Sequence, residues 1–282
     1  MLPKSKTYLF LLFYICPVYN RFHLAFKYLH YYLTASNGKG HGMHSPFVFH
    51  FITKLLNDKT VYPAYHQVEN LRQQLLKDET LLDIEDMGAG STISKTNQRP
   101  VASLARNAAK PAKFGQLLYR MVKEYQPQTV VELGTSLGIT TSYLSLAKPD
   151  AKIITMEGAH AIALVAEGNF KRLQTGNVSL AEGNFDHTLS PVLNGLPHVD
   201  LCFVDGNHRR EPTTRYFEQL LPKTNNDSIL IFDDIHWSKE MEAAWETIKQ
   251  HEAVKCSIDL FFIGIVLFRQ EFKEKQHFMI RF

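Results

Sequence analysis

Apolar positions change their rhythm once along this chain, near Ala112. Beyond that point short apolar runs alternate with amphipathic segments, the pattern of strand, helix and strand units wound into a parallel sheet. The runs Thr129 to Leu133, Lys152 to Met156, Val178 to Ala181, Val199 to Val204 and Ser228 to Phe232 predict five parallel strands, each bounded by polar or turn residues. Cys256 to Leu260 and Ile263 to Phe268 follow each other too closely for a parallel crossover and predict an antiparallel hairpin. The expected fold class is α/β: a seven-stranded, mostly parallel sheet with an antiparallel last strand, in a domain covering residues 113–282.

Before Ala112 the period is helical. Phe22, Phe26, Leu29 and Leu33 recur at helix spacing and predict one apolar face packed on the main domain. Asn37-Gly38-Lys39-Gly40 breaks that helix, and Ser45-Pro46 starts another that runs to about Leu56, with Ser45 as its N-cap. A third helix is expected from about Ala64 to Lys77. Residues 83–100 are polar, contain Gly88-Ala89-Gly90-Ser91 and show no period, so they predict a mobile loop able to act as a lid. Residues 20–112 thus form a helical N-terminal extension.

Residues 1–19 hold the apolar stretch Tyr8 to Tyr19 behind Lys4 and Lys6. The stretch is shorter than the ~20 residues of a membrane span, and it lacks the small residues of a signal cleavage site. It predicts a docked or membrane-grazing helix, or a segment ahead of the true start that is absent from the mature protein.

Composition narrows the function classes. With 282 residues, 45% of them hydrophobic, the chain can bury a full core and carry an appendage. A net charge of +3 supplies no basic field for nucleic acid and leaves a small-molecule acceptor or a protein as the partner. Cys16, Cys202 and Cys256 are far apart and lack CxxC spacing, which suits a reducing cytoplasm without structural zinc. A homodimer and peripheral membrane contact through the N-terminus stay open.

Candidate chemistry begins at Glu132-Leu133-Gly134-Thr135-Ser136-Leu137-Gly138, a buried strand that turns through two glycines into a helix. Gly134 is expected to bend the backbone and admit a ligand, and Gly138 to let the helix N-terminus approach it. The GxxxG spacing differs from the GxGxxG of dinucleotide sites, which aims a helix at a pyrophosphate. Glu157 ends the second strand, where a carboxylate can accept hydrogen bonds from both hydroxyls of a ribose.

The segment from Glu132 to Gly138 resembles motif I of the class I S-adenosylmethionine-dependent methyltransferases, and the likeness extends over the C-terminal domain. That resemblance implies a Rossmann-like fold and S-adenosylmethionine as the cofactor. Glu132, Gly134 and Gly138 would hold its amino-acid part, Glu157 its ribose, and Gly183 and Asn184 its adenine edge, with Thr135, Ser136 and Asp205 as further cofactor-binding residues. Ser136 stands where the family often has a further glycine.

Val204-Asp205-Gly206-Asn207-His208 and Phe232-Asp233-Asp234-Ile235-His236-Trp237 make the chain look most like the branch with catechol-type O-methyltransferases. By that resemblance Asp205, Asp233 and Asp234 are candidate Mg²⁺ ligands, with Asp234 replacing an Asn. The physical argument for a hard cation is that three convergent carboxylates repel one another. The alternative is that Asp233 or Asp234 caps the following helix.

His208 lies where catechol-type enzymes place a catalytic Lys. With Asp205 it is the candidate pair for accepting the proton of a hydroxyl during methyl transfer. His236 and Trp237 are candidates for a substrate wall. His41 and His44 read as turn residues.

The leading expectation is O-methylation of a small-molecule or sugar-like hydroxyl, in the class EC 2.1.1.-. Against it stand a non-catalytic cofactor-binding module and an NAD-dependent oxidoreductase. The oxidoreductase is disfavoured by the glycine spacing and by the lack of a Tyr-x-x-x-Lys pair near the fourth strand.

Overall fold

The computed structural model describes residues 18–36, 38–84, 98–107 and 110–282. Helix α1 (Arg21–Thr34) begins at Asn20, whose side chain accepts from the His23 amide, as an N-cap should. Helix α2 (Pro46–His50) is capped by Ser45 and continues as a π-helical turn, Phe51–Leu56. Helix α3 spans Pro63–Leu75. Strands β1 (Leu81–Asp83) and β2 (Gln98–Pro100) pair antiparallel, and α4 (Val101–Asn107) follows. The two ends of the loop expected over 83–100 to be mobile and to act as a lid are therefore paired as a ribbon, and its middle, 85–97, lies outside the described residues.

The main domain alternates α5 (Ala112–Tyr125), β3 (Thr129–Leu133), α6 (Ile139–Ala147), β4 (Lys152–Glu157), α7 (His160–Leu173), β5 (Val178–Glu182), α8 (Phe185–Asn194), β6 (Leu201–Val204), α9 (Arg210–Leu220), β7 (Ile229–Asp233) and α10 (Lys239–Gln250). It ends with β8 (Cys256–Asp259), β9 (Ile263–Leu267) and β10 (Gln276–Met279). The sheet order is β10-β8-β9-β7-β6-β3-β4-β5. Strands β5, β4, β3, β6 and β7 run parallel, and β9 pairs antiparallel with both β7 and β8. Because β3 leads to β4 on one side while β6 returns on the other, the topological switch lies between β3 and β6, the edge where such sheets bind ligands.

The sequence accounts for seven strands; the sheet has eight. The eighth, β10, pairs parallel with β8, and its residues alternate between half-buried and exposed, so it gives none of the continuous apolar signal of the buried strands. Residues just past α1 guard that margin, with the Ser36 amide donating to the Met279 carbonyl at 2.8 Å.

One core joins α2, the π turn and α5 to the sheet through Phe51, Leu55, Leu117, Met121, Ile153 and Ile229. A second buries Tyr216, Phe217 and Trp245 against Cys202, Leu230 and Phe232 on the opposite face.

Helix α1 corrects the expectation about its face. Phe22, Phe26, Leu29 and Leu33 are 90%, 72%, 52% and 70% exposed. The docked side carries Tyr31, Leu24 and Tyr28 instead, packed on Phe261 and Phe262. Periodicity locates an apolar stripe but does not say which way it points. Here aromatic contacts and polar ties settle it, since Tyr19 Oη donates to Glu242 at 2.7 Å and Lys27 pairs with the same carboxylate at 2.7 Å.

Candidate functional site at the carboxyl edge of the sheet

Gly134 follows β3 with φ 102°, and a Cβ there would meet the Asp205 carbonyl oxygen at 1.9 Å. The glycine thus serves a backbone crossing between two strand ends, a need for glycine that the expected approach of a ligand does not include. Gly138, at φ 76° and opening α6, likewise has Phe170 where its Cβ would lie, 2.5 Å away. Ser136 between them also has positive φ, 48°.

Beneath the loop Glu132 is fully buried. Thr155 donates to its Oε2 at 2.6 Å, Thr141 donates to the same oxygen, and Thr135 shares a hydrogen bond with Thr155 at 2.6 Å. Thr135 is thus turned inward. Glu132 Oε1 is buried and has no partner among the described residues. Burial pushes this carboxyl up to about 7, against the pull of the two hydroxyls.

Glu157 closes β4 facing the same loop. It accepts from the Ser136 amide at 2.9 Å and from the Ala159 amide at 3.0 Å. Burial raises its pKa while these amides oppose the rise. Gly183, after β5, donates its amide to the Glu157 carbonyl at 2.8 Å, so the candidate ribose and adenine positions are tied together. The Asn184 side chain caps α8 by accepting from the Asp186 amide at 2.9 Å.

At the ends of β6 and β7 the acids converge. His208 Nε2 stands 3.6 Å from Asp205 Oδ1. Asp205, His208 and Asp233 can bring one ligand atom each within 4.8 Å of one another. The structure therefore groups His208, rather than Asp234, with the other two expected metal ligands.

Asp234 is drawn away by Lys110, whose Nζ lies 2.5 Å from Asp234 Oδ1 and 2.6 Å from Asp233 Oδ2. Burial works against the ammonium, but Asp233, Asp234 and Asp205 outweigh it and hold Lys110 charged. Burial raises Asp205 to about 6, with Lys110 opposing. Asp233 is raised well above the usual carboxylate range by burial and by Asp205. In Asp234 burial is outweighed by Lys110 and His208, and the pKa falls.

The helix-capping alternative for the two acids is replaced as well, because Ser238 caps α10 by accepting from the Met241 amide at 3.1 Å. His236 is held between Asp259 at 2.8 Å and Glu242 at 3.0 Å, so it braces α10 against β8 rather than offering a free wall.

Lys110 is the functional side chain that sequence reasoning misses. It sits in a short Lys-Pro-Ala-Lys stretch assigned to the extension, and its partners are 124 positions or nearly so away. Nothing local marks it as buried.

Residues 131–235 match the family described as a methyltransferase domain. An uncharacterised protein of Acanthamoeba polyphaga mimivirus is 28% identical over 128 residues, 41% of this chain and 57% of the viral protein. A catechol O-methyltransferase of Niastella koreensis is 28% identical over 160 residues, 55% of this chain and 69% of its own length. The crystal structure of an S-adenosylhomocysteine-bound methyltransferase of Podospora anserina superposes with a TM-score of 0.56 at 13% identity, covering 76% of this chain and 91% of that one. The matched stretch thus spans the glycine turn after β3, Glu157 after β4 and the acids after β6 and β7, which lie on one sheet edge, and its likeness is to methyltransferase domains.

Proposed function

We propose that this chain transfers the methyl group of S-adenosylmethionine to a hydroxyl oxygen of a small-molecule acceptor. The observation that carries the reading is Glu132 Oε1, a fully buried carboxylate oxygen beside the turn after β3 with no partner among the described residues. Such an atom is costly unless a donor satisfies it. The ammonium of the cofactor's amino-acid part is a donor of the right charge, so the residues fit the group. Glu157 would take the ribose, since each of its oxygens keeps acceptor capacity beyond the amide it already receives. When bound, the cofactor supplies an electrophilic methyl on a sulfonium.

The protein's own work is alignment and proton handling. In this reading His208 accepts the acceptor's hydroxyl proton on a ring nitrogen, and the Asp205 carboxylate 3.6 Å away stabilises the imidazolium that forms. His208 is then the residue that touches the reacting atoms, and Asp205 acts through it.

Mg²⁺ has no part in this reading, because the residues suit an ammonium better than a hard divalent cation. Lys110 already lies within 2.6 Å of both Asp233 and Asp234. The remaining set includes an imidazole, whereas Mg²⁺ favours six oxygen ligands. Lys110 would further stabilise negative charge developing on the acceptor oxygen.

The test is a thermal-shift and calorimetric screen of S-adenosylmethionine, S-adenosylhomocysteine, NAD and ATP. Stabilisation by the first two alone is expected; stabilisation by NAD alone would overturn the reading. Turnover with phenolic or sugar hydroxyls then separates an enzyme from a binding module.

A further inference from the structure

Four apolar side chains on α1 face solvent on the side opposite its docked tyrosines. At 100° per residue, Phe22, Phe26, Leu29 and Leu33 fall within about 60° of the helix circumference. Their exposure runs from 52% to 90%. Arg21 and Tyr32 border the stripe on one side and His23 and His30 on the other, all four exposed. Aromatic and basic residues along an apolar stripe are the make-up of a helix lying in a lipid headgroup region.

Charge supports the same occupant. No Asp or Glu precedes Asp58, while Lys4, Lys6, Arg21, Lys27, Lys39 and Lys54 all do, in a chain whose overall charge is only +3. Lys27 turns inward to pair with Glu242, whereas Arg21 stays exposed at the border of the stripe. A stretch holding cations and no anions complements an anionic bilayer surface.

The sequence leading into α1 adds a third argument. Tyr8-Leu9-Phe10-Leu11-Leu12-Phe13-Tyr14-Ile15-Cys16 is apolar at every position, and with Lys4 and Lys6 ahead of it continues the apolar and cationic make-up of α1. Among the described residues no helix is long and apolar enough to cross a membrane, and α1 itself has 14 residues, so its mode of contact is to lie along a surface.

We infer that α1 docks this protein onto an anionic lipid surface, through Phe22, Phe26, Leu29 and Leu33. The inference does not depend on which acceptor the site takes.

Co-flotation of the full chain with phosphatidylcholine vesicles, with or without phosphatidylserine, tests it. Binding is expected to the anionic vesicles, to weaken at high salt, and to fall by about tenfold or more in Phe22→Ser/Phe26→Ser. Because both side chains face solvent, the double variant should keep the wild-type Tm and the same stabilisation by S-adenosylhomocysteine. Phe26→Trp gives a second readout, a blue shift of the added emission only when anionic vesicles are present. Equal flotation of wild type and double variant would overturn the inference. So would emission from the introduced indole that is already blue-shifted without lipid, which would mean that residues 8–16 or a second copy cover the stripe.

Discussion

Glu157 receives amides from the turn after β3 and from the start of α7, so it both braces the candidate site and awaits a ligand. Glu157→Ala should weaken S-adenosylmethionine binding by about 1–3 kcal/mol, measured by calorimetry, the scale of hydrogen bonds lost to a charged acceptor. Glycines of the turn separate cleanly. Gly134→Ala would drive a Cβ into the Asp205 carbonyl at 1.9 Å, with φ in the left-handed region, and should cost about 3 kcal/mol or more in urea unfolding. Ser136→Gly relieves a positive φ and should leave stability within about 1 kcal/mol of wild type. Lys110→Met strips Asp234 of its counter-charge and should destabilise by about 3–5 kcal/mol, while activity of the unaltered protein should not respond to chelators. Ser136, Asn207 and Asp234, three of the non-glycine residues with positive φ, all follow strands of this edge, where strain is often stored at working sites. The parts of this edge written in contiguous stretches, such as Glu132 to Gly138, are readable from sequence. Lys110 is not, because its significance arises only when the fold brings it to Asp233 and Asp234.

The most completely buried strands were the plainest in the sequence, although β5, only partly buried, was also found from its short apolar run. Strands β3 and β7 are buried at every position, and a continuous apolar run announces them. Strand β10 has two faces of different exposure over only four residues and was invisible. Helix α1 was found but turned around, since its docked face is made of tyrosines whose hydroxyls need partners. Tyr31 Oη has one in the Ile280 carbonyl. His236 makes this docking sensitive to pH. Burial disfavours its charge, yet Asp259 and Glu242 raise its pKa from 6.5 to about 9. A raised value in the folded state means that the stabilisation is complete below about 6.5 and is lost as pH climbs through about 9. Thermal unfolding followed across that window should show Tm falling, and His236→Ala should flatten the fall.

At the scale of the molecule, the extension and the main domain share one core. Phe51 and Leu55 lie in the same cluster as Leu117, Met121 and Ile229, and the Arg120 side chain donates to the Leu55 carbonyl at 2.7 Å. A chain beginning at Ala112 would uncover that face of the sheet. It should lose cooperative unfolding, seen as a broad transition by circular dichroism, whereas two independent units would each keep a sharp one.

The Phe261-Phe262 turn links two regions that sequence places far apart. Its rings carry Tyr28 and Tyr31 of α1 on one side, while the Phe262 carbonyl accepts the Asp234 amide at 2.7 Å on the other. A substitution that shifts this turn, such as Phe261→Ala, should therefore loosen α1 and at the same time disturb the backbone that carries Asp234 beside Lys110.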